Sequence, residues 1–180
     1  MKPHTIQGHR TDIADLYAEK GYKVGAEIGT ARGDFAFVIA SRNPQAKLYC
    51  IDPWETYNGY ADFTDEQMNA NYINAVKLLK RFDNVQLVRQ RSINAVARFD
   101  EDELDFVYID ANHKWLSVCE DLYFWSKKVR TGGIVSGHDY GENKHVTAAL
   151  HGYTEAFDIK EWYVIDDGCH AAHDWYWVKP

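Results

Sequence analysis

The chain has 180 residues, of which 46% are hydrophobic and 26% are charged, and its formal net charge is −7 at pH 7. This length suits one domain with a core large enough to fold without disulfides. The acidic balance argues against a nucleic acid as partner, because binding a phosphate backbone requires a basic surface. No apolar run reaches membrane-spanning length, the start lacks the apolar segment of a signal peptide, and the three cysteines are widely spaced. We therefore expect a cytoplasmic protein with reduced thiols and no membrane partner.

No internal repeat, low-complexity tract or linker divides the chain, so we expect a single domain over residues 1–180, with residues 1–22 as a short N-terminal helical extension. The first half alternates between apolar residues at helical spacing and short runs rich in β-branched and aromatic residues. It predicts, in order, a helix over Asp12–Lys20 that Gly21 ends, a strand in "YKVGAEIG", a helix in "DFAFVIASR", a strand in "KLYCID", a polar aromatic loop in "PWETYNGYADFTDE", and a helix capped by Thr64 or Asp65.

The second half continues the alternation. It predicts a strand in "VQLV", a short helix in "INAVARF", a strand in "LDFVYID", a helix in "KWLSVCEDLYFWSKKV", a strand in "GGIVSG", a helix in "KHVTAALHGYTEAF", and an antiparallel pair in "IKEWYVID" and "DWYWVK". Alternating strands and helices with a terminal hairpin predict a doubly wound α/β fold, in which a mostly parallel sheet carries helices on both faces.

Two strands of the second half end in acidic and imidazole side chains. Asp110 and His113 follow one strand, and His138 and Asp139 follow the next. Because the carboxyl ends of parallel strands lie at one edge of the sheet, where open α/β sheets bind their ligands, these four side chains should converge. Two carboxylates and two imidazoles at one edge indicate a metal or acid–base site. The alternative is a solvated cluster at the strand ends.

The segment "EIGTARG", from Glu27 to Gly33, joins the first predicted strand to a helix. Gly29 lets the chain turn tightly, and Gly33 lets it approach a ligand without a Cβ in the way. The pattern differs from the dinucleotide-binding G-x-G-x-x-G, because Ala31 occupies the middle glycine position. An acid ahead of the glycines suits an amine-bearing ligand better than a pyrophosphate. A tight turn without any ligand is the alternative.

The second predicted strand ends in Asp52, and Trp54 follows two residues later. A carboxylate at this place, roughly 20 residues past the glycine turn, commonly accepts hydrogen bonds from ribose hydroxyls. Trp54 could stack on a base or cap a pocket. Alone, the segment could simply start a turn, but together with the glycine turn it favours nucleoside binding.

Taken in order, the glycine turn with Glu27, the acid Asp52, "FVYIDANH" and "GGIVSGHDY" resemble a class I S-adenosylmethionine-dependent methyltransferase. More narrowly, they resemble the small metal-dependent family that contains sugar O-methyltransferases of macrolide and polysaccharide pathways and is related in layout to catechol O-methyltransferase. The resemblance implies a seven-stranded Rossmann-like sheet with an antiparallel last strand. It implies that the cofactor contacts Glu27, Gly29, Thr30, Gly33, Asp52, Trp54, Arg91, Ser92, Ile93 and Asp110, that Asp110 and Asp139 bind the metal, and that His113 is the catalytic base.

Methyl transfer from a sulfonium to a hydroxyl requires an in-line approach and a nucleophile near the alkoxide state. A divalent cation held by Asp110 and Asp139 would bind neighbouring hydroxyls and lower the pKa of one of them. His113, with an ordinary pKa of about 6.5, would take the proton. Carboxylates favour Mg²⁺, whereas an imidazole ligand from His138 would suit Mn²⁺ better. Metal ligation by His138, orientation of a ligand and contact with the acceptor all stay open.

The leading hypothesis is therefore an O-methyltransferase that acts on a small hydroxylated acceptor such as a sugar or glycoside. The loop from Trp54 to Glu66 is expected to act as a lid that keeps water from the reacting centre. Only a short segment precedes the first predicted strand, whereas many sugar-modifying relatives have longer N-terminal segments that bind the acceptor or form oligomers. The identity of the acceptor and the oligomeric state, for which a homo-oligomer is possible, therefore stay open.

Three other functions compete with this hypothesis. An NAD(P)-dependent oxidoreductase would use the same type of sheet, but Ala31 and the acid-rich cluster count against it. A nucleic-acid methyltransferase is disfavoured by the net negative charge and by "IDAN" at the end of the fourth predicted strand, where an Asn/Asp-Pro-Pro-Tyr/Phe tetrapeptide would be expected. A methyltransferase-like protein that has lost catalysis should often lack Asp110, His113 or Asp139, and all three are present.

Overall fold

A computed structural model describes residues 2–57, 60 and 63–180 of the chain. The strands are His4–Gln7 (β1), Val24–Ile28 (β2), Lys47–Asp52 (β3), Val85–Arg89 (β4), Leu104–Ile109 (β5), Val129–Gly141 (β6), Tyr163–Asp166 (β7) and Ala172–Val178 (β8). The helices are Arg10–Glu19 (α1), Asp34–Arg42 (α2), Asp65–Leu79 (α3), Ser92–Ala95 (α4), Trp115–Lys128 (α5) and Lys144–Ala156 (α6), and a 3₁₀ turn, Val96–Arg98, extends α4.

The strands form one sheet in the order β1-β7-β8-β6-β5-β2-β3-β4. β8 runs antiparallel to β6 and β7, and the other neighbouring strands are parallel. The predicted doubly wound α/β fold, with its antiparallel last strand, is confirmed.

Within the described residues the sheet has one strand more than predicted, because β1 joins its edge. The N-terminal extension was expected to be helical only, but β1 pairs in parallel with β7, from His4 opposite Tyr163 to Gln7 opposite Asp166. All four residues of β1 are exposed, so the segment lacks the alternation of apolar and polar residues that identifies a strand from sequence.

Helices cover both faces of the sheet, which explains the apolar run at the end of β5. All six residues of β5 are buried, and from Phe106 onward they alternate between two apolar clusters. Phe106 and Tyr108 pack in the cluster that includes α1, α2 and α3, while Val107 and Ile109 pack in the cluster of α5 and α6. A strand buried on both faces is expected to be apolar throughout.

The segment between β3 and α3 borders the carboxyl edge of the sheet. Thr64 caps α3 as predicted: its hydroxyl accepts a hydrogen bond from the backbone N–H of Gln67, and the Gln67 side chain accepts one from the backbone N–H of Thr64. The proposed lid from Trp54 to Glu66 includes residues 58, 59, 61 and 62, which lie outside the described residues. Among the helices that are described, none combines the length and apolar character needed to cross a bilayer.

Candidate active site

A cleft opens at the carboxyl ends of β2 to β5, where an open α/β sheet is expected to bind its ligand. The side chains from β3, β4 and α5 form one side of it, called here the β3–β4 side, and those that follow β5 form the other, called the β5–β6 side. Polar and charged lining residues are Asp52, Asn71, Arg91, Ser92, Asp110, Asn112, His113, Ser117, Glu120 and Asp121, and apolar and aromatic ones include Ile28, Ile51, Tyr57, Tyr60, Phe63, Met68 and Ile93.

Asp52 organises the β3–β4 side. Its carboxylate accepts hydrogen bonds from the backbone N–H groups of Ala31, at 2.9 Å, and Trp54, at 2.7 Å. Each bond uses a different oxygen, so both oxygens keep a lone pair for a further donor such as a ribose hydroxyl. Burial raises the pKa of Asp52, against the effect of the two N–H donors. The acid that was predicted from sequence thus lines the cleft with unused acceptor capacity.

Trp54 lies in the core and does not line the cleft, which corrects its expected role as a direct ligand contact. Its side chain is fully buried in the cluster with α2 and α3, beside the ring of Tyr72. The indole Nε1–H donates a hydrogen bond to the carbonyl of Ala31 at 2.7 Å. The sequence does not distinguish an aromatic residue that stacks on a ligand from one that packs in the core. In this protein the Trp54 side chain packs in the core and stabilises the glycine turn through the hydrogen bond to Ala31.

Only glycine fits at position 29, because the backbone that follows β5 passes very close to it. Its φ is +92°, and a Cβ at this position would lie 2.0 Å from the carbonyl oxygen of Asp110. Gly29 lines the cleft, so the close approach brings the ends of β2 and β5 together at the ligand site.

Gly33 has a different reason to be glycine. Its φ is +87°, and a Cβ would contact Leu79 and Ala75 of α3 at 3.1 and 3.3 Å. It begins α2 in a left-handed conformation and packs against α3, outside the lining of the cleft. Helix packing thus accounts for a glycine here, and a contact between Gly33 and the cofactor stays a prediction.

Glu27 and Thr30 lie beneath the glycine turn and outside the cleft lining. Both side chains are buried, with 2% and 4% exposure. Burial raises the pKa of Glu27 to about 8, against the effects of Thr30 and the positive charge of Arg10. These positions suit support of the turn, and a direct contact between either side chain and the cofactor stays a prediction.

Ser92 and Asp121 form the floor of the β3–β4 side. The Ser92 hydroxyl bonds to the carboxylate of Asp121 and accepts a hydrogen bond from the indole of Trp125 at 2.7 Å. Burial raises the pKa of Asp121 to about 7, against the effect of Ser92. Ser92 and Ile93 line the cleft as predicted from the resemblance.

Sequence reasoning missed the contribution of α5 to this side. Ser117, Glu120 and Asp121 all line the cleft. Glu120 and Asp121 follow Ser117 by three and four residues, which places both beside it on one face of the helix, and this polar stripe is visible in the sequence. Arg91 lies here too, with its guanidinium 4.3 Å from the centre of the Tyr57 ring.

On the β5–β6 side, the four acidic and imidazole side chains converge as the topology predicts. His113 Nε2 lies 2.8 Å from Asp139 Oδ2 and 3.5 Å from Asp110 Oδ1, and His138 Nδ1 lies 3.1 Å from Asp139 Oδ1. One ligand atom each from Asp110, His113 and Asp139 fall within 4.8 Å of one another. We call these three residues the acid–imidazole cluster. His138 adjoins it through Asp139.

A β-bulge in β6 delivers His138 and Asp139 to the site. Gly137 pairs with Trp175 and Tyr140 with His173, so two residues of β6 stand opposite a single residue of β8. Asp139 has a positive φ of 66°, a conformation that costs free energy for a non-glycine residue and recurs at functional sites. Such bulges redirect side chains at sheet edges. The predicted strand "GGIVSG" lies within the longer β6 and ends where the bulge begins.

Opposite charges set the protonation of the cluster. Contacts with Asp110 and Asp139 raise the pKa of His113 to about 10. Burial alone would raise the pKa of both carboxyls, but His113 and neighbouring positive charges lower it, and they hold the pKa of Asp139 well below its usual range. Burial opposes protonation of His138, yet Asp139 raises its pKa. Both carboxylates are therefore ionised and His113 is protonated at neutral pH.

The cluster fits a divalent cation. Buried Nε2 of His113 has no directed hydrogen bond among the described residues, although Asp139 Oδ2 lies 2.8 Å away. The ligand atoms of these three residues lie close enough together to hold a metal, which would take the place of the proton on His113.

The comparison with known proteins decides the family. Residues 26–140 match the family described as a methyltransferase domain. The chain belongs to this family. It is therefore an S-adenosylmethionine-dependent methyltransferase, as predicted. No curated protein sequence matches the chain.

Solved structures share the fold of this methyltransferase. The O-methyltransferase NovP is 19% identical, with a TM-score of 0.69 over 94% of this chain and 79% of NovP. The O-methyltransferase TomG of Streptomyces achromogenes, solved with S-adenosylmethionine, is 15% identical, with a TM-score of 0.70 over 97% of this chain and 82% of TomG. An rRNA methylase of Streptococcus thermophilus is 10% identical, with a TM-score of 0.68 over 97% and 98%.

Proposed function

We propose that this methyltransferase transfers the methyl group of S-adenosylmethionine to a hydroxyl oxygen of a small acceptor, such as a sugar or glycoside, with the help of a divalent cation. The observation that carries the proposal is the acid–imidazole cluster at the edge of the cleft, where Asp110 lines the same cleft as Asp52. The fold shared with NovP and TomG, both O-methyltransferases, supports oxygen as the acceptor atom.

The two sides of the cleft divide the work in this proposal. Asp52 accepts hydrogen bonds from the ribose of the cofactor, and Ser92 and Ile93 border its base. Asp110 and Asp139 hold the cation. When bound, that cation lowers the pKa of an acceptor hydroxyl and fixes it for attack on the methyl carbon.

His113 is proposed as the base that takes the hydroxyl proton. Its present pKa of about 10 makes it a proton carrier at neutral pH, because the two neighbouring carboxylates stabilise the imidazolium. A cation held by those carboxylates would offset their charge and lower the pKa of His113 toward its ordinary value of about 6.5. The imidazole can then accept a proton near neutral pH.

The choice of metal follows from the donor atoms. Carboxylates alone favour Mg²⁺, and an imidazole nitrogen within reach of the same cation favours Mn²⁺. His113 is kept as the base, so the imidazole that could favour Mn²⁺ is that of His138, whose Nδ1 lies 3.1 Å from Asp139 Oδ1. We therefore propose Mg²⁺ if His138 only orients Asp139, and Mn²⁺ if it also binds the cation.

The function is tested by methyl transfer from labelled S-adenosylmethionine to a panel of sugars, glycosides, catechols and RNA, before and after removal of metal with EDTA. We expect transfer to a small hydroxylated acceptor, lost with EDTA and restored by Mg²⁺ or Mn²⁺. Asp110→Asn should lower turnover on the order of 100-fold or more. Asp105→Asn, at the opposite end of β5, is the matched control and should keep its activity.

Each part of the proposal can fail separately. Full turnover after EDTA treatment, or normal turnover by Asp110→Asn, would show that no cation takes part. Transfer to RNA alone would replace the small acceptor with a nucleic acid. Failure to bind S-adenosylhomocysteine would remove the proposed cleft as the cofactor site.

A further inference from the structure

Arg10 reaches the acid–imidazole cluster from the first turn of α1. Its Nη2 lies 2.6 Å from Asp110 Oδ2, and its Nε lies 3.8 Å from Asp174 Oδ1. The guanidinium carbon lies 4.4 Å from the centre of the Phe35 ring and 5.2 Å from that of Tyr108. With 34% of its side chain exposed, Arg10 is held between rings and carboxylates and is not a mobile surface charge.

The start of α1 fixes the position of Arg10. The backbone N–H of His9 donates to Asp12 Oδ2 at 2.8 Å, and a Cβ on Gly8 would lie 2.7 Å from the same oxygen. The Gly8 N–H also donates to the carbonyl of Asp166 at the end of β7. The pairing of β1 with β7 and the turn at Gly8 therefore fix the start of α1, and so they hold Arg10 beside the acid–imidazole cluster.

Arg10 pairs with one of the two oxygens of Asp110. Oδ2 is engaged by the guanidinium, and Oδ1 faces His113. A divalent cation in the cluster would therefore bind a carboxylate that already has a permanent positive charge beside it. Like charges at this separation repel, and a cation gains less from a carboxylate that is already paired.

We propose that Arg10 is a positioning residue that limits the affinity of the cluster for a divalent cation. Its positive charge neutralises that of Asp110 when no cation is present and opposes the binding of a second positive charge. The proposal rests on the cation of the proposed function. It also gives β1 and α1 a role in the active site.

The test is the binding of Mn²⁺ alone to the full chain, measured by the electron paramagnetic resonance signal of free Mn²⁺. Arg10→Gln removes the charge, Arg10→Lys keeps it, and Arg130→Gln is the matched control, since Arg130 pairs with Asp105 at 2.7 Å at the opposite end of β5. We expect Arg10→Gln to bind Mn²⁺ about tenfold more tightly than the unchanged protein. Arg10→Lys and Arg130→Gln should stay within about threefold of it.

Mn²⁺ affinity that is unchanged or weaker in Arg10→Gln would overturn the proposal, because Arg10 would then support the cation site. Absence of saturable Mn²⁺ binding in both proteins would overturn it too. Calorimetric binding of S-adenosylhomocysteine, with the transfer assay, separates that outcome from failure of the proposed methyl transfer. Should Arg10→Gln fail to fold, Arg10→Met, which keeps an apolar stem on Phe35, carries the same expectation.

Discussion

The two sides of the cleft bury carboxylates in opposite electrostatic settings. On the β3–β4 side, the hydrogen bonds to Asp52 and Asp121 come from neutral donors, and burial raises the pKa of both. On the β5–β6 side, Asp110 and Asp139 contact basic side chains, which lower the pKa of both against the effect of burial. The two sides therefore differ in the character of the groups that contact their carboxylates.

This difference indicates what each side can bind. A carboxylate satisfied by neutral donors can receive the hydroxyl and amino groups of a nucleoside without any rearrangement of charge. A carboxylate that stays ionised suits a cation, and a bound cation would in turn stabilise a developing alkoxide. Variants on the β5–β6 side should therefore change turnover, and variants on the β3–β4 side should change cofactor binding or stability.

The largest effect is expected for His113→Gln. Loss of the proposed base should lower kcat on the order of 100-fold to 10,000-fold, while the affinity for S-adenosylhomocysteine stays within about threefold. Steady-state kinetics and calorimetry measure the two quantities. His145→Gln, the same change at an exposed position of α6, should leave both unchanged. A parallel fall of kcat and cofactor affinity in His113→Gln would remove the division between the two sides.

Asp121→Asn tests the neutral setting of the β3–β4 side. The pKa of Asp121 is about 7 in the folded protein and about 3.9 in an unfolded chain, so between these values only the folded state holds the proton. The free energy of unfolding must then fall as pH rises through this window. Without the titrating group the fall should be shallower, so the stability of Asp121→Asn relative to the unchanged protein should rise between pH 4 and pH 8 by up to about 4 kcal/mol.

Urea unfolding at pH 4, 6 and 8 measures how the free energy of unfolding of each protein changes with pH. Glu120→Gln is the matched control, since Glu120 is the exposed neighbour of Asp121 on α5. The same stability change in both variants would show that net charge, and not burial of Asp121, is responsible.

Local sequence patterns predict the order of elements and the edge that carries the site, since strand ends and glycine turns are local features. They could not predict Arg10, which lies 100 residues from Asp110 along the chain and meets it only through the fold. Nor could they find β1, whose exposed residues have no apolar periodicity. Nor could they predict that Trp54 is buried, because the indole donates its hydrogen bond to a backbone carbonyl that is near Trp54 only in the folded protein.

Trp54→Phe gives the smallest expected effect and tests that last point. If Trp54 stacked on the adenine, phenylalanine would preserve the stacking and the affinity. If it acts through its hydrogen bond to Ala31, the variant loses about 1 kcal/mol of support for the glycine turn. The dissociation constant of S-adenosylhomocysteine should then rise about fivefold, with kcat at saturating cofactor unchanged.

Trp162→Phe isolates the hydrogen bond from the loss of ring volume. Trp162 is equally buried, lies in the cluster on the opposite face of the sheet, and its Nε1 has no hydrogen-bond partner among the described residues. Both variants leave a small cavity and should lower the melting temperature, because a smaller ring fills less of the core. Only Trp54→Phe should weaken cofactor binding. Equal cofactor affinity in the two variants would mean that the turn is held by Asp52 alone, through the N–H of Ala31.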